Sequence, residues 1–143
     1  DWILTPHPGE MARLTGQSIG QIQGNRTACA TQFARRYPSV TLVLKGAGTL
    51  VAQDSRLAQN PTGNPGMSRG GSGDVLAGMI AALAAQGLSP WEAACAGVYL
   101  HGMAGDAAAA QFSEQAMLPR DLLACLPEVF LRLERFRDQH GTG

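Results

Sequence analysis

The run Val40-Thr41-Leu42-Val43-Leu44 is rich in β-branched residues and almost unbroken in its apolar character. A strand of that kind has no face to give to solvent, so it needs cover on both sides, and a parallel sheet flanked by helices supplies it. The rest of the chain is suited to providing those helices. Alanine occurs 22 times and glycine 18 times, which fits close packing of helices and loops rather than bulky β layers and excludes an all-β sandwich.

Around that strand the sequence predicts a strand ending at Leu4, before Thr5-Pro6-His7-Pro8-Gly9 opens a loop. A helical turn follows over Glu10 to Leu14, then one helix from Ile19 to Tyr37, which Pro38 ends. Gly46-Ala47-Gly48 turns the chain into a further strand at Thr49 to Ala52, and residues 54–73 form a loop-rich centre. Ordered loops of that length are uncommon and tend to be functional. From Asp74 the pattern becomes helical, with Val75, Leu76, Met79, Ile80 and Leu83 on one stripe and Gly87 as the stop. Ser89-Pro90-Trp91-Glu92 is a capping box that starts a helix running into Ala107–Ala110. The last helix is predicted from about Pro119 to Phe136, with Gly141-Thr142-Gly143 as a frayed tail.

The fold class that follows is α/β: three layers, α/β/α, around a mostly parallel sheet. A chain of 143 residues falls in the usual single-domain range of roughly 100–200. Yet three or four strands cannot occupy this many long helices. With residue 1 an Asp rather than a Met, the expectation is that residues 1–143 are the C-terminal half of one larger domain.

Eleven basic and eleven acidic residues balance, which removes the basic footprint of a nucleic-acid or membrane-surface binder and leaves a small molecule as the expected partner. No apolar run reaches 18 residues, so no segment is expected to span a bilayer. Cys29, Cys95 and Cys125 are odd in number, widely spaced and set among Ala or Leu. They read as buried thiols, neither a disulfide frame nor a zinc site, and suit a reducing cytoplasm.

Gly70-Gly71-Ser72-Gly73-Asp74 leads straight into an amphipathic helix. Its glycines let backbone N–H groups converge on an anion, and the helix N-terminus adds partial positive charge there. It is neither a Walker loop nor a dinucleotide fingerprint. Asp74 either caps the helix or, because a carboxylate inside an anion cradle repels phosphate, serves as a base that takes a proton from an attacking hydroxyl. Lys45, the single lysine beside ten arginines, stands at the C-terminal end of the buried strand, where open α/β sheets place ligands. A solvated strand end is the alternative. Two prolines fix His7, whereas His101 and His140 lack such a setting and read as structural or solvent-facing. Glu10 either holds Mg²⁺ through water or complements a helix start.

The segments Thr5-Pro6-His7-Pro8-Gly9-Glu10, Lys45-Gly46-Ala47-Gly48-Thr49, and Asn64-Pro65-Gly66-Met67 with Gly70-Gly71-Ser72-Gly73-Asp74 occur in this order. Together they resemble the YjeF-type C-terminal domain, the ADP- or ATP-dependent NAD(P)H-hydrate dehydratases of the ribokinase-like superfamily, over nearly the whole chain. The resemblance implies a lyase of metabolite repair that returns hydrated NADH or NADPH to the intact cofactor, with ADP or ATP as co-substrate and Mg²⁺. It implies that His7 and Asp74 contact the hydrated nicotinamide nucleotide, with Asp74 catalytic. Lys45, Gly46, Ala47, Gly48, Thr49 and Gly73 would hold the adenine nucleotide, and Gly70, Gly71, Ser72 and Gly73 would form the anion hole. Arg69 departs from the small or hydroxyl residue usual there, and either assists the phosphates or points away. A small-molecule kinase of the same superfamily and a non-catalytic nucleotide-binding module are the rival readings. Homo-oligomerisation and an epimerase domain fused upstream stay open.

Overall fold

The structure is a computed structural model that describes residues 2–141. Asp1, and Thr142 and Gly143 of the expected tail, lie outside the described residues. Four strands, β1 (Trp2–Leu4), β2 (Val40–Leu44), β3 (Leu50–Gln53) and β4 (Arg56–Gln59), form one sheet in the order β1-β2-β3-β4. The sheet is mixed rather than mostly parallel. β1 runs parallel to β2, with Ile3 opposite Thr41, whereas β2 with β3 and β3 with β4 are antiparallel.

Before β2 come α1 (Pro8–Thr15), α2 (Ile19–Gly24) and α3 (Arg26–Arg36). The single helix expected over Ile19 to Tyr37 is therefore two. Asn25 breaks it: its φ of −150° and ψ of 60° are not helical, and its side chain accepts from Ala28 N at 3.3 Å to cap α3. An Asn that bonds its own backbone competes with the helix ladder and starts a new helix instead.

β4 was not expected, since residues 54–73 read as loop. Arg56, Leu57, Ala58 and Gln59 carry no β-branched residue and are mostly exposed. The strand is held by its ladder to β3 across the two-residue turn Asp54-Ser55, where Asp54 takes φ 51°. Pairing, not propensity, makes it a strand.

After a single 3₁₀ turn at Pro65–Met67 come α4 (Ser72–Ala85), α5 (Pro90–Phe112) and α6 (Pro119–His140). The Ser89 capping box starts α5 as expected. α4 begins two residues before Asp74, and α6 continues past Phe136.

β2 is covered on both faces, as its sequence requires. Leu42 and Leu44 point to α1–α3, where they meet Met11, Ile22, Ala30 and Phe33. Val43 and Val51 point the other way, into Leu76 and Ile80 of α4 and Ala93, Ala94 and Val98 of α5. This is the α/β/α layering. The predicted α4 stripe divides between two cores, because Val75 and Met79 pack instead with Met117, Leu122 and Cys125 beside α6. Cys29 and Cys125 are buried, Cys95 is half-buried, and all three are free thiols. Among the described residues no helix is long and apolar enough to cross a membrane.

Candidate active site

The parallel pair β1 and β2 ends at one edge of the sheet, the place where an α/β layer leaves a crevice for ligands. Lys45 N donates to Pro6 O at 2.9 Å, which pins the end of β2 to the chain leaving β1. The three motifs meet there.

His7 is the N-cap of α1. Its Nδ1 accepts from Gly9 N at 3.0 Å and Glu10 N at 3.2 Å, while Glu10 Oε2 accepts from His7 N at 2.8 Å. This reciprocal box, more than the flanking prolines, fixes the ring. With Nδ1 accepting, the neutral ring carries its proton on Nε2, 3.6 Å from Glu10 Oε1. The same Glu10 Oε2 is 3.9 Å from Lys45 Nζ. The His7 N–H holds the Glu10 carboxyl below its ordinary value against the opposing effect of burial, with a lesser contribution from the Lys45 ammonium.

Lys45 reaches from this group to the start of α4. A Cβ placed on Gly73 would lie 2.9 Å from Lys45 Nζ, so only glycine lets the ammonium rest on the helix backbone. Gly71 is the N-cap, at φ 94°, and supplies no side chain to the helix end. Among the described residues the N–H groups of Gly70, Gly71, Gly73 and Asp74 donate to no protein acceptor. Ser72 differs from the other expected anion-hole residues. Its N–H donates to Arg69 O at 3.2 Å and its hydroxyl turns inward to within 3.4 Å of His101 Nε2, so it offers nothing to the cradle.

Asp74 is the third residue of α4, and α4 has no side-chain cap hydrogen bond. The capping alternative therefore falls away. Its exposed carboxylate lies in the first turn of α4, one residue after Gly73. Arg69 points away: Nη2 donates to Gln115 O and, at 3.4 Å, to Glu114 O, both in the turn between α5 and α6.

Asp106 and Arg26 are supporting residues that the sequence reading does not name, and His101 takes the structural of the two roles expected for it. His101, buried on α5, approaches Ser72 O at 3.0 Å through Nε2 and so props the first turn of α4. Burial pushes its basicity down, with a further contribution from Lys45. Asp106 accepts from Gly63 N at 3.0 Å and Asn64 Nδ2 at 2.9 Å, holding the loop before the cradle. Arg26 at the start of α3 donates to Leu44 O and Ala47 O on either side of Lys45-Gly46. The partners of Asp106 and Arg26 lie 43 and 21 residues away respectively, so no local pattern could have signalled them. Among the described residues His140, at the far end of α6, bonds only Phe136 O.

Among the described residues no group of three or more His, Cys, Asp or Glu could hold a metal ion. Glu10, the carboxylate 3.9 Å from Lys45 Nζ, fits a divalent ion only as the companion of phosphates, the usual mode for Mg²⁺.

The profile of the NAD(P)H-hydrate dehydratase family matches residues 1–128. A bifunctional NAD(P)H-hydrate repair enzyme of Moorella thermoacetica is 55% identical over 133 residues, 92% of this chain and 25% of that protein. The solved structure of an ADP/ATP-dependent NAD(P)H-hydrate dehydratase from Bacillus subtilis, co-crystallised with ATP and Mg²⁺, superposes with TM-score 0.86 at 37% identity, covering 91% of this chain and 47% of that one. A ribokinase-like superfamily protein from Enterococcus faecalis gives TM-score 0.73 at 34% identity, over 89% and 43%. This chain thus spans a quarter of that repair enzyme and less than half of these structures. Because the profile match runs through all three motifs that gather around Lys45, the chain belongs to the NAD(P)H-hydrate dehydratase family.

Proposed function

We propose that the protein carrying this chain dehydrates hydrated NADH or NADPH, with ADP or ATP as co-substrate, and that residues 1–143 are the C-terminal half of its ribokinase-like catalytic domain. The observation that carries this reading is an exposed carboxylate, Asp74, in the first turn of α4 and without a partner among the described residues, which follows the free amides of Gly70 and Gly71 and comes one residue after Gly73, where the Lys45 ammonium rests. An acid is costly in an anion cradle unless it performs chemistry.

Asp74 accepts the proton of the C6 hydroxyl as that oxygen forms a bond to the terminal phosphorus and the bond from that phosphorus to the bridging oxygen breaks. ADP then leaves AMP, and ATP leaves ADP. The amides of Gly70, Gly71 and Gly73, with Lys45, balance the charge that develops on the phosphoryl oxygens. The C6–O bond then breaks with its electron pair leaving on phosphate, pushed by the ring nitrogen, and loss of the C5 proton restores the dihydronicotinamide. His7 presents Nε2–H to the nicotinamide nucleotide, and Lys45 to Thr49 hold the adenine nucleotide. Glu10 is the carboxylate that would hold Mg²⁺ through water, where the ion supplies neutralisation of phosphate charge.

The Moorella relative is called bifunctional, which supports a second catalytic domain in the same polypeptide. The free thiols support a reducing compartment such as the cytoplasm. The test is a product assay on the whole protein with hydrated NADH, MgCl₂ and ADP or ATP. Recovery of absorbance at 340 nm, with phosphate released in equal amount, is the expected result. A stable phosphate ester without that absorbance would make the protein a kinase, and nucleotide binding without turnover would make it a binding module.

A further inference from the structure

Arg26 belongs to no motif, yet it makes two bonds to the loop that follows β2. Its Nη2 donates to Leu44 O at 2.9 Å and its Nη1 to Ala47 O. The guanidinium also lies flat on Gly46, where φ is 142° and a Cβ would meet Nη2 at 3.0 Å and Cζ at 3.1 Å. Its Nε is buried with no partner. Leaving a buried donor unpaired costs free energy, so the side chain is kept in place by what its two terminal nitrogens hold.

Those bonds act on the whole turn. Leu44 O and Ala47 O are taken by Arg26, Gly46 O by Thr49 Oγ1 at 3.1 Å, and Thr49 O by Asn60 N at 2.8 Å. With these carbonyls tied back, the N–H groups of Gly46, Ala47 and Gly48 donate to no protein acceptor among the described residues. Successive free amides at alternating backbone conformation, here Gly46 at φ 142° and Gly48 at φ 60°, are the arrangement that receives an anion. Resting on the proposed nucleotide-dependent reaction, we propose that Arg26 is the positioning residue of the nucleotide loop: it turns the carbonyls inward so that the Gly46–Gly48 amides and Lys45 Nζ face the phosphates together. Arginine suits the position because its planar fork reaches two carbonyls at once, whereas a lysine ammonium on a flexible stem holds them less firmly.

The test is calorimetric titration of the whole protein with ATP and Mg²⁺, for wild type, Arg26→Ala and Arg26→Lys, beside steady-state kinetics with hydrated NADH. In Arg26→Ala the nucleotide Kd and KM should rise about ten- to a hundredfold, as for loss of charge-assisted hydrogen bonds. The KM for hydrated NADH should change less than about threefold, kcat should fall by less than the nucleotide Kd rises because Lys45 itself is retained, and Arg26→Lys should recover part of the nucleotide affinity. Nucleotide Kd within twofold of wild type in Arg26→Ala overturns the proposal. So does a rise in both KM values together with a lowered melting temperature in both variants, which would mark Arg26 as a fold residue only. If wild type binds ATP and responds to Arg26→Ala but regenerates no NADH, Arg26 keeps its role and the dehydratase reading falls. A wild type that binds no adenine nucleotide overturns both.

Discussion

The Lys45 ammonium rests against the α-carbon of Gly73, at a point where any side chain on residue 73 would stand 2.9 Å from Nζ. One residue directly follows β2 and the other, 28 positions later in sequence, is the second residue of α4. Together they put a fixed positive charge at the positive end of a helix, and two like charges held so close gain only when an anion is shared between them.

Gly73→Ala tests that contact. Alanine is the better helix former by about 1 kcal/mol, so the melting temperature should hold or rise. The new methyl group displaces the Lys45 ammonium, and affinity for ATP should fall about tenfold, as for one charged contact. Unchanged affinity with a normal melting temperature would show that Lys45 does not act through this position.

Asp74→Asn keeps the size of the side chain and removes its ability to accept a proton. Since Asp74 makes no cap bond, the fold should be unaffected. Turnover should fall by about 10² to 10⁴, the usual range for a general base, while the Kd for ATP changes little. Near-normal kcat would remove Asp74 from that role.

His101 sets the acid side of the stability profile. Burial holds its native pKa below the ordinary 6.5, so the folded protein keeps the ring neutral while the unfolded chain binds a proton as pH falls through that value. Its contribution is complete above pH 6.5 and is lost as the pH drops from there toward the native pKa. Urea denaturation at pH 7.5 and 5.5 should show wild type losing more stability on acidification than His101→Gln. Equal losses would mean that burial does not hold the His101 pKa below its ordinary value.

The loop before the cradle lies directly on α5. A Cβ on Gly102 would be 2.0 Å from Thr62 Oγ1 and 2.7 Å from Thr62 C, a backbone atom that cannot step aside cheaply. Gly102→Ala should therefore destabilise the protein by about 1 to 3 kcal/mol through overpacking, read from the urea midpoint, despite alanine's better helix propensity. A neutral or stabilising effect would show that the Asn60–Met67 loop moves freely over α5.

The local elements were legible where a residue carries its own instruction. Val40–Leu44 demanded two covered faces and has them, Ser89-Pro90-Trp91-Glu92 capped α5, and the helical turn expected over Glu10 to Leu14 is there, although α1 begins at Pro8, within the segment that reads as loop. The break at Asn25 was missed because an apolar period runs through it, although Asn is a strong cap. β4 was missed because Arg56–Gln59 has no strand character apart from its partner β3.

By itself, the sequence determined the layered α/β class and the order of the motifs, and it offered His7, Glu10, Lys45 and Asp74 as candidate groups. Only the tertiary structure decided which of them act together. Parallel pairing of β1 with β2 brings residues 7, 10 and 45 to one edge, and packing of α4 across the sheet delivers Gly73 and Asp74 to the same point. It also turned Arg69 outward, turned Ser72 down onto His101, and set Arg26 against the Lys45 loop. The reason is physical: a cap or a strand propensity is a property of neighbours in the chain, whereas an ammonium aimed at a helix end is a property of two packed layers.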